Sequence, residues 1–134
     1  MVKQRRFEIE SAAAGPFVTV LTLSGSVSNG AEHELTARLA ETGLAAKRVV
    51  VDLSDAVLYD SWPFPLLVDE TRRFKDAGGE LVLVSGDNAT VDPFVGDTSL
   101  PGLHWYRSLD DALMELLGEV FDAGSAAPGL PELG

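Results

Sequence analysis

Val49-Val50-Val51-Asp52-Leu53-Ser54, followed after a short gap by Tyr59-Asp60-Ser61, is the stretch that decides the fold of this chain. The run from Arg48 to Leu53 is apolar almost throughout, the pattern of a strand covered on both faces. It ends in a turn where Asp52 satisfies backbone donors through Ser54. A small hydroxyl residue, Ser61, then stands beside an acid at the start of a helix. Backbone N–H groups at a helix N-terminus favour anions, so this is a good place for a phosphate. Ser61 or Asp60 can equally serve as the N-cap of that helix. Trp62, in the first turn, either packs down as a staple or stands out as an interaction anchor.

Working outward, Trp62 to Ala77 is helical in period, with Phe64, Leu67, Val68, Thr71 and Phe74 on one stripe. Pro63 and Pro65 fall in its first turn, where a missing N–H costs little. Ala77-Gly78-Gly79 ends it, and Leu81 to Val84 is a second buried strand. On the N-terminal side, Arg5 to Ile9 alternates as an edge strand, and Ala12 to Pro16 reads as a hairpin loop. Phe17 to Leu23 is a stronger strand, stopped by Ser24-Gly25. A helix spans Ala31 to Thr42 with Leu35 and Leu39 on one face and Gly43 as its C-terminal cap. Toward the C-terminus the sequence predicts a short helix within Asp87 to Gly96, a strand over Leu103 to Tyr106, and a last helix to about Phe121. Ser108 caps that helix, with Asp111 as the capping-box acid. The resulting order, β-β-α-β-α-β-α-β-α, implies an α/β fold: a mixed, mostly parallel sheet of four to five strands backed by helices. Residues 1–121 form one domain, and 122–134, rich in Ala, Gly and Pro, a disordered tail.

Composition narrows the function. The 134 residues carry no cysteine, which removes disulfides and thiolate metal sites and agrees with a reducing cytoplasm. Met1 to Glu10 has no signal-peptide pattern, and no apolar run is long enough to span a membrane. A net charge of -11 repels phosphate backbones, so direct nucleic-acid binding is not expected. The basic clusters Lys3, Arg5, Arg6 and Arg72, Arg73, Lys75 are too small to reverse that balance.

Catalytic readings fail on missing partners. A phospho-accepting aspartate at Asp52 would need a pair of acids after an earlier strand and a lysine after the last; Ser24-Gly25-Ser26 stands in the first place. A serine nucleophile at Ser61 lacks both the Gly-x-Ser-x-Gly elbow and a neighbouring base. His33 lies on a polar helix face, and His104 beside Trp105 reads as a packing residue. No phosphate-binding loop is present. Neither catalytic residues, nor a metal, nor a cofactor is expected.

Taken in order, Val20 to Gly25, Val49 to Ser54, Asp60-Ser61, Ala77 to Val84 and Ser108 to Leu113 resemble the STAS domain, the fold of anti-sigma factor antagonists, over about residues 5–121. The resemblance implies a cytoplasmic bacterial regulator of transcription that binds an anti-sigma factor kinase and is released by phosphorylation. The usual antagonist motif is Asp-Ser-Ser-Gly with the second hydroxyl phosphorylated, whereas Trp62 and Pro63 occupy the last two positions here. Asp60-Ser61-Trp62 is more similar to the stressosome scaffold branch, where the first hydroxyl is the acceptor. That makes Ser61 the candidate phosphoacceptor. Asp60, Ser61, Trp62, Ser28 and Asn29 are the candidate partner-binding surface. The alternative is an unphosphorylated STAS scaffold or accessory subunit of a stressosome-like or transporter complex, with other STAS proteins or a second copy (a homodimer) as partner.

Overall fold

The computed structural model describes residues 7–15, 17–27, 31–45, 47–58, 61–95, 100 and 102–125. Five strands form one sheet in the order β1-β2-β3-β4-β5. They are β1 (Glu8–Gly15), β2 (Val18–Val27), β3 (Arg48–Leu58), β4 (Glu80–Val84) and β5 (Trp105–Tyr106). β1 and β2 form an antiparallel hairpin, and β2, β3, β4 and β5 run parallel. Helices α1 (Ala31–Ala45), α2 (Pro63–Asp76) and α3 (Leu109–Ser125) supply the crossovers and cover.

Both sheet faces are covered. On one, Leu35 and Leu39 of α1 and Phe64, Leu67 and Phe74 of α2 pack on Leu21, Leu23, Val49, Val51, Leu81 and Leu83. On the other, Ala112 and Leu116 of α3 pack on Val18, Val20, Val50, Val82 and Val84. β3 therefore contributes to both cores, which is why Val49 to Leu53 shows no polar alternation except Asp52. Each large side chain buried here contributes roughly 1.5–3 kcal/mol. Arg38 of α1 also donates to the Ile9 carbonyl at 2.9 Å, tying the helix to the edge strand.

Several boundaries differ from the sequence reading. Ala12 to Gly15 are strand, not loop: Ala12, Ala13 and Gly15 pair with Val20, Thr19 and Val18 of β2, with an irregularity at Ala14, and Phe17 takes φ 63°. Strand β2 continues past Ser24-Gly25 to Val27, because Gly25 stays in the ladder opposite Ala56. Gly43 lies inside α1, which runs to Ala45. The helix expected within Asp87 to Gly96 is a single 3-10 turn at Asp92–Phe94, where Pro93 stands in the first turn. β5 contains only Trp105 and Tyr106, so His104 precedes the strand and is exposed instead of packed. Helix α3 is capped as expected, the Asp111 N–H donating to Ser108 Oγ at 3.1 Å. It continues to Ser125, four residues into the segment assigned to a tail, since the next proline is Pro128. Residues 126–134 lie outside the described residues.

Two features carry consequences for stability. An added Cβ at Gly79 would stand 2.1 Å from the Lys47 carbonyl oxygen, the acceptor of the Glu80 N–H. At Gly78 it would meet open space. Gly79→Ala should therefore lower stability by about 2–3 kcal/mol and Gly78→Ala by about 1 kcal/mol, the cost of its left-handed φ, read from denaturation midpoints.

The second is Glu70, which sits on the covered side of α2 with its side chain only 4% exposed. Desolvation raises its pKa above the ordinary glutamate value of 4.5, and the Arg73 guanidinium only partly opposes this. The folded state thus holds the Glu70 proton more tightly than the unfolded chain. Stability from this group is present below about 4.5 and is lost as pH rises through the raised folded value. Glu70→Gln should be more stable than wild type near neutrality, with the difference in melting temperature shrinking toward pH 4.

Candidate functional site

The segment that carries Ser61 is positioned from its two ends. Its N-terminal anchor is a β-bulge. Strand β3 pairs Asp52 with Thr22 but Asp55 with Ser24, so β3 has one residue more than β2 between those pairs. The extra residue is accommodated by side-chain chemistry: Asp52, buried, accepts from the Ser54 backbone N–H at 3.0 Å and from the Ser54 hydroxyl. The Asp52–Ser54 bond expected of a turn is present, but the strand does not end there. It resumes in shifted register and reaches Leu58.

The connection after β4 braces this bulge. Asn88 donates from Nδ2 to the Leu53 carbonyl at 2.7 Å and to the Ala56 carbonyl at 2.5 Å. Its Oδ1 accepts from the Thr90 N–H at 2.9 Å and from the Thr90 hydroxyl at 2.7 Å. The Leu58 N–H donates to Thr90 Oγ1 at 3.2 Å. Leu58 is three positions before Ser61, so Asn88 and Thr90 fix where that segment leaves the sheet. Gly86 makes the approach feasible: it has φ 60°, and a Cβ there would stand 2.4 Å from Ser54 Cβ.

The C-terminal anchor is α2. Phe64, fully buried, stacks on Phe94 with ring centroids 4.2 Å apart and lies 6.0 Å from Trp105. Trp62 is half-buried and packs against the same core. Its indole Nε1–H is buried without an acceptor among the described residues. Of the two readings of Trp62, the geometry is that of a residue packed down.

Ser61 is exposed, immediately ahead of α2. Its hydroxyl is not the helix cap. The N-cap position falls on Trp62, with no side-chain cap bond, because Pro63 with its fixed φ is already the first helical residue. The expected N–H cradle for an anion is also depleted. Pro63 and Pro65 have no N–H, and the Phe64 N–H donates to the Ser61 carbonyl at 3.1 Å. Asp60, Ser28 and Asn29 lie outside the described residues, as does Tyr59. His33 and His104 are both on exposed surfaces. Among the described residues no cluster of His, Cys, Asp or Glu has metal-holding geometry, and no helix is long and apolar enough to cross a membrane.

No family model matches the chain, and no curated protein does. Solved structures do. The anti-sigma factor antagonist SpoIIAA in its unphosphorylated form superposes with a TM-score of 0.67 at 14% identity, covering 83% of this chain and 97% of that one. An anti-sigma factor antagonist from Mycobacterium paratuberculosis gives 0.67 at 20% identity, covering 84% and 95%. The murine anion transporter Slc26a9 gives 0.60 at 19% identity over 80% of this chain but 19% of the transporter. The chain has the STAS fold, a five-stranded mixed sheet with helices on both faces.

The bracing network makes a local prediction. Thr90→Val should remove the acceptor for the Leu58 N–H and cost about 1 kcal/mol of stability. Amide hydrogen exchange should accelerate around residues 56–61 while β4 stays protected.

Proposed function

We propose that this protein is a regulatory binding module, similar to anti-sigma factor antagonists, which docks a protein partner through the surface around Ser61 and is released by phosphorylation of Ser61. Asp60, Trp62, Ser28 and Asn29 complete the docking surface in this reading, and an anti-sigma factor kinase is the partner. The observation that carries it is the placement of Ser61: an exposed hydroxyl on a junction braced from one side by Asn88 and Thr90 and from the other by the Phe64–Phe94 stack. The STAS fold, shared with antagonists of both forms, supports the same assignment.

The physical basis of release is charge. A phosphate adds about -1.5 to -2 charges to a chain already at -11. With Pro63 and Pro65 removing helix donors, the new charge is not absorbed by α2 and is left facing the partner. Burying it there unpaired costs a few kcal/mol, on the order of 100-fold in affinity.

A second reading, a scaffold or accessory subunit with no switch, is supported by Trp62. Its indole is packed against the core and shapes this surface whether or not Ser61 is modified.

Affinity capture with wild type, Ser61→Ala, Ser61→Asp and Trp62→Ala, paired with mass spectrometry of Ser61, separates the two. Capture of an anti-sigma kinase by wild type and Ser61→Ala, lost with Ser61→Asp, is the expected result. Capture indifferent to Ser61→Asp but lost with Trp62→Ala, with Ser61 unmodified in cells, would replace the switch with constitutive docking.

A further inference from the structure

Away from Ser61, α1 and α2 diverge to leave a groove of about 220 Å³ lined by Leu39, Ala40 and Gly43 of α1 and by Glu70, Arg73 and Phe74 of α2, closed by Ala77. Its walls are mostly apolar, yet a carboxyl group is built into it. Glu70 is 3% exposed as a residue, and its described ionic partner is Arg73, at 3.1 Å from Oε2. The Arg73 side chain is 65% exposed, so it neutralises Glu70 from the solvent side only. A buried carboxylate so weakly compensated is unusual, since buried charges ordinarily have full partners. Gly43 adds a second sign. Helices disfavour glycine, and a Cβ there would meet only the Phe74 ring at an ordinary contact distance of 3.4 Å. Glycine at 43 leaves that side of the groove open.

We propose that this groove is a binding site for a linear alkylammonium ion, its ammonium seated on the Glu70 carboxylate and its alkyl chain laid across Leu39 and Phe74. The charge complement follows from Glu70 and from the net charge of -11, which concentrates small cations near the surface. The groove, about 220 Å³ and open to solvent, has room for a short alkyl chain. Arg73 competes with the ligand, because both cations use the same carboxylate. An ammonium beside Glu70 favours its ionised form and so opposes the upward pKa shift that desolvation causes. The site is separate from Ser61, and its test does not depend on the docking reading.

The probe is n-hexylammonium, titrated into full-length protein and followed by amide chemical shifts. Saturable shifts confined to α1 and α2 are expected, with hexanol and hexanoate at least ten-fold weaker. Glu70→Gln should weaken binding at least ten-fold, and Gly43→Leu, which fills the groove, should abolish it; far-ultraviolet circular dichroism checks that both are folded. Arg73→Gln should tighten binding two- to three-fold by removing the competitor. Equal binding of hexanol, stronger binding of hexanoate, or loss on Arg73→Gln would overturn the assignment. So would blocked lysine binding as tightly as n-hexylammonium, which would transfer the site to a partner's side chain.

Discussion

The rest of the structure depends on one additional residue in β3. A parallel sheet buried on both faces cannot easily accept a polar kink, because every backbone group in it needs a partner. Here the kink is made self-sufficient. Asp52 turns back onto Ser54, and Asn88 reaches across from the next strand's connection to take the Leu53 and Ala56 carbonyls that the shifted ladder leaves over. The register shift also lets the second half of β3 keep pairing with β2 as far as Val27 and Leu58. Without it the strand would stop near Ser54, and the segment leading to α2 would begin several residues earlier, free of the sheet.

What emerges at the end of that strand is a site defined by rigidity more than by chemical richness. Ser61 is exposed between two well-fixed elements, while the prolines that start α2 withhold the donors an anion would use. The start of α2 therefore offers few donors to a charge at Ser61. The aromatic packing of Trp62, Phe64, Phe94 and Trp105 beneath keeps that surface in one shape.

The sequence made the periodic parts of this fold legible and left the non-local parts hidden. Leu35, Leu39, Phe64, Leu67 and Phe74 were readable as core because 3.6-residue spacing is a local signal. The buried strands showed as runs of β-branched residues. Asp52-Leu53-Ser54, by contrast, has the composition of a turn, and a bulge uses the same side-chain-to-backbone bonds as a turn. Ala12 and Ala13 have weak strand propensity and are held in β1 by pairing with β2. Asn88 and Thr90 act on residues more than thirty positions away, so no window of sequence reveals their role. Glu70 was invisible for a different reason: its neighbours Asp69, Arg72 and Arg73 make it look like part of a solvated face. Of the candidate site, the sequence located Ser61 and Trp62, but neither the side-chain-free helix start nor the depth to which Trp62 packs.

The strand order has one more consequence. In this sheet spatial order repeats chain order, so each strand lies beside the one made just before it. A chain emerging from its N-terminus can thus extend an existing edge at every step, and no strand has to be inserted between two already paired. The bulged central strand is complete at Leu58, but its bracing residues Asn88 and Thr90 arrive some thirty residues later. During synthesis, the junction that carries Ser61 cannot gain this bracing until the chain has been made as far as Thr90.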